Sequence, residues 1–184
     1  GVDVDFWKYN ESVQPAVEPT ALFWGVVDRR MEAEWLLALA DALTNEKIVL
    51  AGPQQDPDPR IMQHPRIEGI GPVAMRELPK MAAAANVLIM PYADLPVTRA
   101  MQPLKLKEYI ATGRPVVTSN LPAIQPWATH VKVAHSKVEF VETTLQYLHD
   151  VQIKSLANDD LQTRLLGETW KQKSQFLEAV LASC

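Results

Sequence analysis

The segment 92–108 holds the side chains best suited to bind an anion. Pro103 favours the first turn of a helix, because it lacks an amide hydrogen and has a preset φ. Residues 98–102 would then lie just ahead of a helix N-terminus, whose free N–H groups and dipole attract phosphate. Arg99 and Lys105 would add positive charge there. The segment therefore predicts a phosphate site at the start of this helix.

Lys105 and Glu108 add a second chemical capacity to the same helix. They are three residues apart and so share one helix face, where a carboxylate can accept hydrogen bonds from two neighbouring sugar hydroxyls. A solvated ion pair without function, worth roughly a few tenths of a kcal/mol, explains the same spacing. The spacing alone leaves both interpretations open.

A second cluster of basic residues follows the first apolar run. Gly25 would allow a close backbone approach, and Arg29 and Arg30 could bind a pyrophosphate. A tight turn followed by solvated arginines is the alternative. The chain contains neither a Gly-x-Gly-x-x-Gly nor a Gly-x-x-x-x-Gly-Lys-Ser/Thr sequence, and its histidines lack metal-ligand spacing. We therefore predict no dinucleotide fingerprint, no P-loop and no metal site.

The elements that must position these residues alternate between strand-like and helix-like periods. The pattern predicts strands at 22–27, 47–52, 66–70, 87–91, 116–118 and 131–134, and helices at 31–43, 77–84, 103–112 and 137–149. The stretch 52–59 is rich in turn residues and is predicted to continue neither helix nor sheet. Because the strands are apolar on both faces, the fold class is α/β, a doubly wound parallel sheet covered by helices. Ligands of such sheets bind beyond the carboxyl ends of the strands.

Length and composition narrow the class of protein. The 184 residues suit a single domain, 1–184, and the net charge of −4 argues against a nucleic-acid partner. Cys184 is the only cysteine, so no disulfide is expected, and no apolar run approaches the ~20 residues of a membrane span. A helical tail is expected over 155–184, capped by Asn158, with Trp170, Leu177 and Leu181 on one face. The tail would lie across the sheet or toward a missing domain. A missing domain is expected because the absence of an initial Met suggests a piece of a larger protein.

Several segments resemble one known family in their order along the chain and in their amino-acid sequence. They are Phe23-Trp24-Gly25, the run 48–53, Gly69-Ile70-Gly71-Pro72, Glu77-Leu78-Pro79 and, most specifically, the run from Pro103 to Val117. Together they resemble the C-terminal, donor-binding half of a GT-B glycosyltransferase, most similar to glycosyltransferase family 4. The resemblance implies a Rossmann-like domain that binds a nucleoside-diphosphate sugar as donor substrate, with no cofactor and no metal. It also implies a retaining transfer to a glycan or lipid-linked acceptor bound by a missing N-terminal domain, in a cytoplasmic enzyme with peripheral association at the inner membrane face. The isolated domain would then be inactive alone.

The resemblance also implies roles for individual residues. Glu108 would bind the ribose hydroxyls, Arg29 or Arg30 with Lys105 would lie near the diphosphate, and the loop 71–73 would follow the base. Many family members carry a second glutamate, at a position that is Ala100 here, so Asp94 or Thr98 would serve the donor sugar instead. The residues expected at the nucleotide-sugar site are Gly25, Arg29, Arg30, Val73, Asp94, Thr98, Arg99, Leu104, Lys105 and Glu108.

Two further interpretations stay open. A sugar-nucleotide epimerase of GT-B-like fold would share the architecture, and a non-catalytic nucleotide-binding or partner-binding module would account for Ala100. The sequence leaves the base, the sugar, the acceptor and the catalytic residues unassigned.

Overall fold

A parallel β-sheet forms the centre of the computed structural model, which describes residues 1–8, 13, 16–102, 104–150 and 159–182. The strands are β1 (Thr20–Trp24), β2 (Val27–Asp28), β3 (Lys47–Ala51), β4 (Gln54–Gln55), β5 (Ile67–Gly71), β6 (Val87–Met90), β7 (Val116–Ser119) and β8 (Lys132–Ala134). β2 and β4 pair with each other, and the other six strands form one sheet in the order β5-β3-β1-β6-β7-β8.

Helices cover this sheet and continue into the tail. They are α1 (Val4–Trp7), α2 (Ala33–Ala42), α3 (Pro59–Gln63), α4 (Leu78–Ala84), α5 (Pro96–Arg99), α6 (Leu104–Ala111), α7 (Lys137–His149), α8 (Asp159–Gly167) and α9 (Trp170–Ala182). Short 3₁₀ turns occupy Met75–Glu77 and Pro122–Trp127. The predicted doubly wound α/β class is confirmed.

The order of the strands places a crevice beside β1. All five residues of β1 are buried, because Leu22 pairs with Val49 of β3 on one side and with Leu88 of β6 on the other. The chain first adds strands outward from β1 to β5 and then returns to place β6 on the opposite side of β1. Ligands of open parallel sheets bind where the strand order reverses in this way. The crevice therefore lies at the carboxyl ends of β1 and β6.

Most predicted elements exist, with ends displaced by one to three residues. The helix over 137–149 is confirmed at both ends. The Ser136 side chain caps its N-terminus by accepting a hydrogen bond from the Glu139 N–H at 3.2 Å. The first predicted strand is divided at Gly25, whose φ of 141° breaks the extended run. The prediction that 52–59 continues no sheet is wrong for β4, which pairs with β2. Pro103 lies outside the described residues.

The tail consists of two helices rather than one. Leu161 and Leu165 of α8 are buried and fix that helix to the sheet domain. Trp170, Leu177 and Leu181 of α9 are 57–67% exposed, so the expected apolar face makes no core contact. Asn158, predicted as the cap, lies outside the described residues. Within the part of the chain that the structure describes, no helix has the length and apolarity of a membrane span.

Candidate functional site

A cleft of about 340 Å³ opens at the carboxyl ends of β1 and β6. One wall comes from α6, a second from the segment between β6 and α6, and a third from the turn after β7. Its lining residues are Arg30, Met90, Tyr92, Thr98, Met101, Gln102, Leu104, Lys105, Glu108, Leu121, Ala123 and Ile124. The cleft thus lies at the sheet edge that the fold class predicts for a ligand.

The helix α6 is held in place on the side away from the cleft. Leu106, Tyr109 and Ile110 are buried in the core, and Lys107 Nζ lies 2.6 Å from Glu168 Oε2. Glu168 connects α8 to α9, so the tail braces α6 from behind. The cleft-facing side chains of α6 therefore project from a fixed support.

Lys105 lies directly against the backbone at the end of β1. A Cβ atom added to Gly25 would collide with Lys105 Nζ, and the φ of 141° at Gly25 disfavours any larger residue. The predicted close approach to Gly25 is therefore made by a side chain of the protein itself. The glycine allows the ammonium of Lys105 to reach the floor of the cleft.

Lys105 forms no close ion pair with a carboxylate among the described residues, although the charges of Glu108 and Asp28 act on it from a longer distance. Among the residues of known placement, no carboxylate oxygen lies within 4.0 Å of its Nζ, which is 5.8 Å from the centre of the Phe23 ring. Burial and, next, the charge of Arg30 lower the pKa of Lys105. The interpretation of Lys105 and Glu108 as a solvated ion pair is wrong, because both side chains turn into the cleft and form no such pair.

Glu108 presents its carboxylate from the next turn of α6. Oε2 lies 3.3 Å from the indole Nε1 of Trp24, which donates to it. Burial raises the pKa of Glu108, while the Trp24 hydrogen bond and the charge of Lys105 oppose that rise. A half-buried carboxylate next to an unpaired ammonium can accept hydroxyl hydrogens beside a bound anion.

Trp24 is a site residue that the sequence analysis named only as part of the run Phe23-Trp24-Gly25. Its ring stacks on Trp7 with centres 5.2 Å apart and contacts the Tyr109 ring at 4.0 Å. Its indole N–H also reaches Glu108, 84 residues further along the chain. Its position as the last strand residue before Gly25 was the available signal, because side chains at that end of a central strand reach the crevice.

Of the two predicted arginines, Arg30 faces the cleft. Its guanidinium binds the carboxylate of Asp28 through two nitrogens, at 2.9 and 2.7 Å, and lies 5.8 Å from the centre of the Tyr92 ring. Burial raises the pKa of Tyr92 to about 12. Arg30 therefore contributes a positive group at the cleft wall that is partly balanced by Asp28.

Arg29 lies in a different cleft. Its side chain is 79% exposed and pairs with Asp56 at 2.6 Å, in a separate depression that includes Met31 and Pro57. Residues 29 and 30 form a turn after β2, and their side chains line different clefts. The structure does not bring Arg29 to Lys105.

Four other expected residues also lie away from the cleft or already form contacts within the protein. Arg99 and Asp94 form an exposed pair at 2.5 Å, since the turn of α5 brings their side chains together. Val73 packs partly against the hydrophobic core instead of lining the cleft. Thr98 lines the cleft, but its hydroxyl donates to the Ala93 carbonyl at 2.5 Å and so stabilises the start of α5.

The structure therefore divides the predicted site residues into two groups. Arg30, Thr98, Leu104, Lys105 and Glu108 line one cleft, which Gly25 borders through its contact with Lys105. Arg29, Val73, Asp94 and Arg99 are not among its lining residues. In the described ranges, no three His, Cys, Asp or Glu side chains gather in a way that could hold a metal ion.

Comparison with known proteins identifies the domain that carries this cleft. Residues 18–150, which include every residue that lines it, match the family model of the glycosyl transferases group 1. The chain belongs to this family. A Bacillus subtilis (strain 168) protein, TuaH, named as a candidate teichuronic acid biosynthesis glycosyltransferase, is 38% identical over 63 residues, which are 34% of this chain and 16% of TuaH.

Solved structures establish the fold of this family member. HepE (Alr3699) of Anabaena, solved in complex with UDP-glucose, superposes with a TM-score of 0.74 at 16% identity, over 100% of this chain and 56% of HepE. The C-terminal domain of LpcC, a glycosyl transferase group 1 family protein of Francisella tularensis, superposes with a TM-score of 0.67 at 15% identity, over 89% of this chain and 97% of that domain. The chain therefore spans about half the length of HepE and has the Rossmann-like fold of a GT-B C-terminal domain.

Proposed function

We propose that this domain binds the nucleoside-diphosphate sugar donor of a retaining glycosyltransferase, most similar to glycosyltransferase family 4. One observation carries the proposal: within the described cleft, Lys105 offers an ammonium without a carboxylate partner, beside the Glu108 carboxylate on the same helix face. A nucleoside diphosphate carries the two groups that match them: a diphosphate anion for the ammonium, and the two ribose hydroxyls for the carboxylate. Membership of the glycosyl transferases group 1 supports transfer over the epimerase and the non-catalytic module.

Lys105 and Arg30 would bind the diphosphate. Burial disfavours the charged form of Lys105 and lowers its pKa, and the negative charge of a diphosphate would favour that form. During transfer, negative charge develops on the leaving nucleoside diphosphate, and a fixed ammonium in a site of low dielectric stabilises it. In this proposal the two side chains take the role that a metal ion has in other sites.

Glu108 would bind the ribose. Its Oε2 already accepts the Trp24 N–H, and its Oε1 has no hydrogen-bond partner among the residues described. A carboxylate oxygen can accept more than one hydrogen bond, so both oxygens remain able to accept from the 2′ and 3′ hydroxyls.

In this proposal, recognition of the donor sugar rests on groups other than Asp94 and Thr98. Asp94 is committed to Arg99 outside the cleft, and the Thr98 hydroxyl donates to a backbone carbonyl. Ala100 carries no polar side chain in place of the family's second glutamate. We therefore propose that fewer side-chain carboxylates contact the sugar here than in relatives that carry both glutamates.

The relatives guide the proposal for the acceptor and the donor. The name of TuaH supports a bacterial surface polysaccharide or its lipid-linked precursor as acceptor. The proposed place of reaction is the cytoplasmic face of the membrane. The solved HepE complexes with UDP and UDP-glucose support a nucleotide-sugar donor. The chain spans 56% of HepE. We therefore expect residues 1–184 alone to bind donor without transferring the sugar, since the donor-binding domain by itself would not orient both substrates.

Calorimetric titration of the chain with UDP, GDP and ADP tests the proposal. At least one should bind, and Lys105→Met should weaken that binding by roughly 10-fold or more, as expected for a charged hydrogen bond. Lys171→Met is the matched control, because it removes one lysine from an exposed position on α9. Absence of binding by all three nucleotides, or equal effects of the two substitutions, would contradict the proposal.

A further inference from the structure

We propose that Trp24 is a positioning residue, whose indole N–H holds the Glu108 carboxylate in the orientation that receives the ribose diol. The inference rests on the proposed function of the cleft. It adds a residue on β1 to the residues that line the cleft.

The hydrogen bond between Trp24 and Glu108 has little freedom to rearrange. Trp24 is only 3% exposed, and a buried indole N–H requires an acceptor, since the indole can only donate. Glu108 Oε2, at 3.3 Å, is the acceptor that the described residues provide. A free glutamate side chain samples several rotamers, so holding it before the ligand arrives lowers the entropic cost of binding.

Trp24 is itself held from three directions. Its ring stacks on Trp7 with an interplanar angle of 8°, and the Tyr109 ring covers it at 4.0 Å. Its backbone N–H donates to the Tyr109 hydroxyl at 2.9 Å. Tyr109 follows Glu108 in α6, so Trp24 is joined to this helix both through its backbone and through its indole. The end of β1 and the carboxylate therefore form one rigid unit.

The same hydrogen bond favours the charged form of the carboxylate. Burial raises the pKa of Glu108, and the Trp24 N–H acts against it. Without this donor the carboxylate would take up a proton at a higher pH. Both effects of Trp24, orientation and charge, act on the carboxylate that would recognise the diol.

The test compares Trp24→Phe with Trp7→Phe. Both substitutions replace a buried indole by a smaller ring within the same stack, and only the first removes the donor to Glu108. Calorimetry with UDP, GDP and ADP, each beside its 2′,3′-dideoxy form, measures the preference for the diol. We expect Trp24→Phe to reduce this preference on the order of threefold to tenfold, the usual effect of one hydrogen bond, and Trp7→Phe to leave it unchanged. The acid limb of the binding profile should also move to higher pH in Trp24→Phe.

Benzothienylalanine at position 24 is the second variant. It keeps the shape of the indole and replaces its N–H by sulfur, so the fold and the stack are retained while the donor is lost. The same loss of diol preference is expected, with an unfolding temperature close to that of the unmodified chain.

The outcomes separate this inference from the proposed function. Equal weakening of the ribo and dideoxy forms by Trp24→Phe and by the benzothienyl variant would show that Trp24 only packs, and would overturn the inference. A preference that survives both variants but is lost in Glu108→Gln would also overturn it, with the proposed function intact. Absence of binding by all three nucleotides to the unmutated chain would refute the proposed function and this inference with it.

Discussion

Replacing Glu108 by glutamine tests the carboxylate with little change of shape. In Glu108→Gln the side-chain amide oxygen can still accept the Trp24 N–H, which is 3.3 Å from Oε2 in the structure. The buried indole therefore keeps its partner. What the substitution removes is the negative charge and one of the two strong acceptors for the ribose hydroxyls.

The expected loss of affinity follows from those two changes. Hydrogen bonds to a charged group contribute about 1.5–3 kcal/mol, so Glu108→Gln should weaken nucleoside diphosphate binding roughly 10-fold to 160-fold. Isothermal calorimetry on both proteins measures the dissociation constants. Glu142→Gln on the exposed side of α7 is the matched control and should leave them unchanged.

The stability of the variant supplies an independent readout. Burial raises the pKa of Glu108 above the ordinary value of 4.5. Between the ordinary pKa of Glu108 in the unfolded chain and its raised pKa in the folded chain, the folded chain holds more protons. The protein therefore becomes less stable as pH rises through this interval. At pH 7 Glu108→Gln should therefore unfold at the same or a higher temperature than the unmutated chain, and the difference should disappear below pH 4.5.

Two results would refute this reasoning. An unchanged dissociation constant in a folded Glu108→Gln variant would remove Glu108 from the nucleotide site. A clearly lower unfolding temperature at pH 7 would show that the charge stabilises the fold, and that the carboxylate is a structural group.

Three further substitutions test the division of the cleft. Lys105→Met should weaken binding of UDP more than binding of uridine. The pKa of Lys105 is lowered from 10.5, so the affinity of the unmutated chain for UDP should begin to decline at a lower alkaline pH than it would with a lysine of ordinary pKa. Calorimetry at a series of pH values checks both expectations. Arg29→Gln should leave the dissociation constant unchanged within error, because its side chain is 79% exposed and pairs with Asp56 in a separate cleft, and a loss above threefold would contradict that placement. Gly25→Ala should cost about 1–3 kcal/mol of unfolding free energy in denaturant melts, because φ at this position is 141°. It should also weaken UDP binding, because the new methyl group displaces Lys105. An unaltered melt would refute the argument.

The alternation of apolar runs was sufficient to predict the class of fold. A strand such as β1, buried on both faces, must lie inside a sheet, and helices that follow each strand require parallel strands with crossovers. The start of α7 also depends on a local contact, because the Ser136 cap acts within one turn of the chain. The shared face of Lys105 and Glu108 followed from helix geometry alone. These features depend on residues close together in the sequence, and so the sequence by itself determined them.

Only the tertiary structure decided which of the predicted residues meet. The reversal of strand order beside β1 brings Trp24 to Glu108 across 84 residues, and no local spacing encodes that distance. Arg29 and Arg30 are indistinguishable in the sequence, yet the path of the chain after β2 sends only Arg30 to the cleft. The spacing of Lys105 and Glu108 is compatible with a surface ion pair, but in the folded protein both side chains line the cleft. Burial, charge and hydrogen-bond partners are properties of neighbours in space, and for this cleft those neighbours come from β1, α6 and the turn after β7.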